Sequence, residues 1–191
     1  MNKPDKRDDI LQSALKLLAE QGFHGAPMAR IAEHAGVGTG TIYRYFENRD
    51  ALILAVHRMI NDELMGFLFH HYPEEQPLRE CFFYMGNCII DFFVQNPLKF
   101  KYNEQFFNSP YGNEMRRNEL DKEKGPYDLF QALYKKGLAD QIVKTVPMTI
   151  FFDLAFAPMV WAVRDHHLGF VVIDKAISDT IVSACWDCIK F

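Results

Sequence analysis

Residues 22–52 read GFHGAPMARIAEHAGVGTGTIYRYFENRDAL, and this stretch decides the fold. Met28, Ile31, Ala32 and Ala35 recur at three- and four-residue steps, which places them on one apolar face of a short helix. Ala32 is small enough for a second helix to approach closely. Gly36 follows, where a left-handed backbone can turn the chain sharply. Val37 plugs the corner, Ile42 and Tyr43 begin the next buried edge, and Phe46 closes it. Two helices at a steep angle joined by a tight turn require this pattern. The spacing therefore predicts a helix-turn-helix, followed by a further helix that Asn48 caps and Asp50 supports in its first turn.

In such a unit the second helix can enter a DNA major groove while the first crosses the backbone. That second helix, Thr39 to Phe46, exposes Thr39, Gly40, Thr41, Arg44 and Tyr45. An arginine can make a bidentate contact to guanine or pair with a phosphate. Threonine and tyrosine hydroxyls suit phosphate oxygens, which set register. Gly40 would let the backbone approach DNA. Free amides at the helix N-terminus favour phosphate as well.

The segment IAEHAGVGTGTIYRYFENRDAL, residues 31–52, resembles the DNA-binding signature of the tetracycline-repressor (TetR/AcrR) family. Ile31, Ala32, Gly36, Val37, Gly40, Thr41, Ile42, Tyr43, Tyr45, Phe46, Arg49, Asp50 and Leu52 fit that family's pattern. The resemblance implies that Thr39, Thr41, Tyr43, Arg44 and Tyr45 face DNA and that Arg49 pairs with a phosphate. Arg30 and Gly40 complete the expected DNA-facing set. The family usually has serine at Gly38 and a Thr-Ser or Thr-Pro pair at Ala26-Pro27. Glycine still serves as an N-cap, a few tenths of a kcal/mol worse than serine. Ala26 is a poor N-cap, although Pro27 suits a first helical position. Each change removes a hydroxyl that could touch phosphate, so somewhat weaker DNA affinity is expected. A plain three-helix packing unit, with Arg44 and Arg49 as solvated surface charges, is the alternative.

Charge supports DNA binding only modestly. Residues 1–50 hold seven Lys/Arg and seven Asp/Glu, whereas residues 51–191 hold fourteen and eighteen. Arg30, Arg44 and Arg49 cluster about the reading helix, and Lys3, Lys6 and Arg7 lie on an N-terminal arm. The acidic remainder would be repelled by DNA and help orient the head.

Outward from the motif, the 191-residue chain reads as helices only. The expected fold is all-α, with about nine helices. Residues 1–50 form the helix-turn-helix domain and 51–191 a helical effector-binding and dimerisation domain. In helix one, Pro4 occupies the first position, Ile10, Ala14, Leu17 and Leu18 form the buried stripe, and Gly22-Phe23 ends it. Helix four runs to about His70. Further helices are expected at Leu78–Gln95 and Leu98–Phe107. A turn at Ser109–Gly112 leads to a charged stretch at Arg116–Lys124. A helix opened by Gly125-Pro126 reaches Ala139. A long helix from Pro147 to Leu168 is kinked at Pro158, and a last one starts at Asp174.

Fifteen of the seventeen phenylalanines follow residue 50. Ligand pockets are mostly apolar and aromatic, and the family resemblance implies an effector pocket in this part. The expected lining is Phe67, Tyr102, Asn103, Phe106, Phe107, Phe152, Phe156 and Trp161, with Asn103, Gln105 or Arg164 as polar partners. Ordinary core is the alternative for each. The last two helices carry Leu154, Met159, Val160 and Val163, then Ile177, Ile181, Val182, Cys185 and Ile189, on more than one face. Two such helices from each of two chains can form a four-helix interface. The family resemblance implies this homodimer, and a palindromic DNA operator follows from its symmetry.

Other chemistry finds little support. No nucleophile–base signature, phosphate loop or metal motif occurs, so no catalytic residue, metal or cofactor is expected. His70-His71 and His166-His167 are adjacent pairs that point apart on a helix and are expected to be solvated. The four cysteines, including the CxxC of Cys185 and Cys188, read as buried free thiols, with redox or metal roles as the alternative. The charged N-terminus lacks a signal-peptide pattern, and no run of eighteen apolar residues suggests a membrane span. A cytoplasmic regulator whose partners are double-stranded DNA and an apolar or aromatic small molecule is the resulting expectation, ahead of a DNA-independent ligand binder.

Overall fold

The computed structural model describes residues 5–119 and 128–191. These form eleven helical segments: α1 (Lys6–Gly25), α2 (Met28–His34), α3 (Thr39–Tyr45), α4 (Arg49–Phe69), α5 (Leu78–Gln95), α6 (Pro97–Phe107), α7 (Pro110–Glu119), α8 (Asp128–Ala139), α9 (Met148–Ala155), α10 (Ala157–His167) and α11 (Lys175–Ile189). The described residues hold no strand, only an isolated antiparallel bridge between Val143 and Lys190. Among them, no helix is long and apolar enough to cross a membrane. Lys3 and Pro4, the charged stretch beyond Glu119 and the Gly125-Pro126 helix start lie outside the described residues.

The contacts divide the chain into two compact units. One comprises residues up to Glu63 with Asn96–Glu114, and the other Leu64–Gln95 with Met115–Phe191. In the first unit, Asp5 caps α1 by accepting a hydrogen bond from the Arg7 amide at 3.0 Å. The stripe Ile10, Ala14, Leu17 and Leu18 is buried, as its spacing requires. Gly22 adopts φ 77°, so the regular helix breaks there, but a further turn carries the segment to Gly25. Gln105 of α6 donates to the Ala19 carbonyl at 2.9 Å, three residues before that break. Tyr102 is fully buried, and its hydroxyl donates to the Ile53 carbonyl of α4 at 2.6 Å.

In the second unit, α5 crosses α10 and α11 at Gly86. A β-carbon there would come within 2.8 Å of Val182 and 2.9 Å of Met159, so only glycine permits this approach. Phe82, Phe130, Phe151, Phe152, Phe156 and Trp186 form a contiguous set of ring contacts, with centroids 5.0–6.4 Å apart. Asp174 caps α11 through the Ile177 amide at 2.9 Å.

Several sequence expectations are corrected. The helix expected from Pro147 to Leu168 is two helices, broken at Phe156 (φ −124°, ψ −25°). Pro158 therefore stands in the first turn of α10, where its missing N–H leaves no intrahelical bond unmade. The turn expected at Ser109–Gly112 instead starts α7 at Pro110. Pro27 is the N-cap of α2 and not its first residue, and Ala26 before it is buried. His166 and His167 are half-buried and bonded: His166 Nδ1 accepts the Ile173 amide at 3.2 Å, and His167 Nε2 meets the Phe93 carbonyl at 3.0 Å. All four cysteines are free, but only Cys81 and Cys185 are buried; Cys88 is half-buried and Cys188 exposed. Burial pushes the Cys185 thiol up to about 11, which keeps it protonated and unreactive.

The residues expected at a dimer face also divide. Met159, Val163, Val182, Cys185 and Ile189 are buried inside their own chain, while Leu154, Val160, Ile177 and Ile181 are half-buried. Ile177, Ile181, Ala184 and Cys188 share the outward side of α11 at helical spacing.

Candidate nucleic-acid interface

The turn between α2 and α3 is built as its sequence requires. Gly36 takes φ 65°, and its amide donates to the Glu33 carbonyl at 3.1 Å. The Val37 amide donates to the Ala32 carbonyl at 3.0 Å. This is the paired hydrogen-bond closure in which a left-handed glycine satisfies the last carbonyls of a helix. Ile31, Ala32, Ile42 and Phe46 are buried where the two helices and α1 meet. Val37 is half-buried at the corner.

That packing leaves the other side of α3 outward. Thr39, Gly40 and Arg44 are exposed, Thr41 is half-buried, and Tyr43 and Tyr45 are 52% and 37% exposed. Tyr43 therefore does not belong to the buried edge and stands with the outward set. Gly38 caps α3 in an extended conformation without a side-chain hydrogen bond, so the first amides of α3 remain available to an anion. A β-carbon on Gly40 would meet nothing within 4 Å, so the space over it is open to a partner. Together these groups form a surface of hydroxyls, one guanidinium and free amides, suited to a groove lined by phosphates.

Arg30 is exposed and donates to Gln21 of α1 at 2.8 Å. Arg49 opens α4, whose N-terminus Asn48 caps through the Ala51 amide at 2.8 Å. Arg49 is half-buried, and its Nε and Nη2 are buried without a hydrogen-bond partner among the described residues. Packing, not hydrogen bonding, directs its guanidinium. Two contacts escaped the sequence reading. Arg7 lies in the first turn of α1, not on a separate arm, with its guanidinium 5.5 Å from the centre of the Phe46 ring. Tyr111 donates to Asp50 Oδ1 at 2.6 Å. Partners 39 and 61 residues apart leave no trace in local spacing.

The expected effector residues fall in both units. In the first, Tyr102 and Phe106 are fully buried, with ring centres 6.2 Å apart, and Asn103 and Phe107 are half-buried. His57 stacks on Phe106 at 3.8 Å, and burial lowers its pKa to about 4, so the ring is neutral near pH 7. In the second, Phe152 and Phe156 are ring neighbours at 5.6 Å. Phe67 is 42% exposed against Phe92, and Trp161 is 60% exposed beneath the Arg164 guanidinium. Gln105 is committed to Ala19.

Comparison with known proteins agrees with this geometry. Residues 10–56 match the family described as bacterial regulatory proteins, tetR family. Residues 77–190 match the tetracyclin repressor-like C-terminal domain. An HTH-type transcriptional regulator of Haemophilus influenzae is 28% identical over 189 residues, covering 98% of this chain and 97% of the relative. Among solved structures, a TetR family transcription regulator from Marinobacter aquaeolei superposes with a TM-score of 0.84 at 21% identity, over 97% of this chain and 95% of that one. The regulator FadR of Bacillus subtilis, in complex with stearoyl-CoA, gives 0.76 at 16% identity, over 95% and 98%. These two share the fold. Family and relatives are transcriptional regulators, a class that is not enzymatic. The chain belongs to the TetR family and is a transcriptional regulator with a helix-turn-helix DNA-binding domain.

Proposed function

We propose that the protein is a ligand-responsive repressor that binds a palindromic operator as a homodimer in the cytoplasm and is released when an apolar or aromatic small molecule binds. The functional boundary lies near residue 50, between a reading head and an effector and dimerisation part. The observation that carries DNA reading is the outward face of α3, flanked by Arg30 and Arg49. Arg44 reads a base edge or a phosphate. Thr39, Thr41, Tyr43 and Tyr45 set the register, and Arg49 binds a phosphate. Gly40 admits the DNA backbone.

Of the residues expected around the effector, Phe152 and Phe156 carry this proposal, because they share one aromatic cluster in the second unit. A fold neighbour in complex with stearoyl-CoA supports an effector with a long apolar part. The second copy docks on α10 and α11. Support comes from the exposed Trp161 and Leu168 and the outward stripe Ile177, Ile181, Ala184 and Cys188. Effector binding shifts the population toward a state with α4 tilted, which requires different affinity for the two states.

Fluorescence anisotropy on the promoter region beside the protein's own gene tests the DNA reading. Tight, salt-sensitive binding that Arg44→Ala with Tyr45→Ala abolishes is expected. A folded dimer that binds neither that DNA nor any duplex from a random-sequence selection would overturn it and leave a DNA-independent ligand binder.

A further inference from the structure

We propose that Tyr111, in the first turn of α7, is a positioning residue for DNA binding: its hydroxyl holds Asp50, and through Asp50 the first turn of α4 that carries Arg49. The inference rests on the reading of Arg49 as a phosphate contact. Tyr111 lies 61 residues from Asp50 in sequence, outside the helix-turn-helix, yet both belong to the same compact unit.

The corner that delivers Tyr111 has little freedom. The Ser109 hydroxyl donates to the Phe106 carbonyl at 2.6 Å, and the Gly112 amide approaches the Ser109 oxygen at 3.5 Å. A β-carbon on Gly112 would come within 2.4 Å of the Phe106 carbonyl oxygen and 2.6 Å of the Phe107 α-carbon. The end of α6 and the start of α7 therefore touch backbone to backbone. The Tyr111 ring also meets Phe23 edge-on, with centroids 6.0 Å apart, and Phe23 meets the buried Tyr102 at 5.4 Å. The ring is thus held on one side by the end of α1 while its hydroxyl reaches α4.

At the other end, the O–H···O contact to a carboxylate at 2.6 Å is a charge-assisted bond. Asp50 lies in the first turn of α4, where the helix dipole favours a negative group. The bond to Asp50, ahead of burial, pushes the Tyr111 hydroxyl above its ordinary range, so it remains a donor. The Arg49 charge is close enough to oppose that shift. Arg49 itself has Nε and Nη2 buried without a hydrogen-bond partner among the described residues. No hydrogen bond among the described residues holds those two nitrogens, so the guanidinium is placed by packing and by the backbone turn it grows from, and Tyr111 braces that turn.

The test is a double-mutant cycle, read by anisotropy on a duplex selected from random sequence by the unaltered protein. Tyr111→Phe keeps the ring and removes the hydroxyl. It should leave the melting temperature near that of the parent and weaken DNA binding roughly 2- to 10-fold, the range expected for one hydrogen bond. Asp50→Ala should weaken binding similarly and show no further loss when combined with Tyr111→Phe. In an Arg49→Ala background, Tyr111→Phe should have no further effect, whereas its effect should multiply with that of Arg44→Ala. A merely structural hydroxyl would weaken binding equally in every background, and that result overturns the proposal. So does unchanged binding by Tyr111→Phe while Arg49→Ala is impaired. Binding that survives both Arg44→Ala and Arg49→Ala would instead overturn the underlying interface, and this inference with it.

Discussion

Arg44 and Arg49 carry the same charge but stand in different places, and that separates what their loss should do. Arg44 is exposed on the outward side of α3, where a groove would receive it. Arg49 is half-buried at the start of α4. Arg44→Ala should cost about 1–3 kcal/mol of binding and relax preference at one operator position. Arg49→Ala should weaken all sequences evenly and lower the salt slope by about one. Competition anisotropy with operator variants at several salt concentrations distinguishes them. A second residue-scale prediction concerns His57. Its Nδ1 is buried without a hydrogen-bond partner among the described residues, and burial holds its pKa at about 4 against the ordinary 6.5. The unfolded chain therefore binds more protons than the folded one between those values. Stability is complete above about pH 6.5 and falls as pH drops toward 4, by about 3 kcal/mol in all. Chemical denaturation at pH 7.5 and 5.0 should show a loss that His57→Phe reduces by roughly 2 kcal/mol, the share accrued by pH 5. An unchanged slope in the variant would refute the assignment.

At the scale of elements, α3 offers a gain. Gly38 caps it at φ −71° and ψ 146° without a side-chain bond, and a β-carbon there meets nothing within 4 Å. That backbone is already the one a serine cap adopts. Gly38→Ser should stabilise the protein by a few tenths of a kcal/mol. Its hydroxyl should also tighten operator binding by adding a phosphate contact. Thermal melts and anisotropy on one preparation check both, and a lowered melting temperature would show that the cap geometry is wrong. The same scale explains what the sequence disclosed. Helix α5 has the expected bounds, Leu78–Gln95, because an apolar period and Asn96-Pro97 agree on it. The turn at Gly36 was legible because glycine, helix spacing and Val37 all point to one corner. Pro158 stands out in the sequence, but its consequence does not. A proline can kink a helix or begin a new one, and only the non-helical backbone of Phe156 decides between them. The start of α7 was hidden because Ser109-Pro110-Tyr111-Gly112 has the composition of a turn. Proline is equally at home in a first helical turn.

For the whole molecule, local periodicity identified which helices are apolar but not which side each one buries. Met159, Val163, Val182, Cys185 and Ile189 fill their own chain's core, and Trp161 stands outside. That sorting depends on neighbours brought in from distant sequence, such as Gly86 of α5 against Val182. It also specifies the assembly more narrowly. If the second copy covers α10 and α11, the residues that matter are those left outward: Trp161 and Leu168, with Ile181 and Ala184 on α11. Changing Val182 would disturb the fold, because it is fully buried. Changing Ala184 should disturb association alone. Ala184→Glu should therefore keep its helicity and unfold near the parent temperature, while sedimentation shows a monomer at micromolar concentration. A two-fold dimer sets its reading helices about 34–36 Å apart, so paired half-sites one turn apart should bind far more tightly than a single half-site. In the Ala184→Glu variant that advantage should vanish, because each head then binds alone and loses the high effective concentration of a linked pair. If the variant remained dimeric and kept the advantage, the second copy would have to meet the chain on another face, and the half-site spacing would no longer follow from α10 and α11.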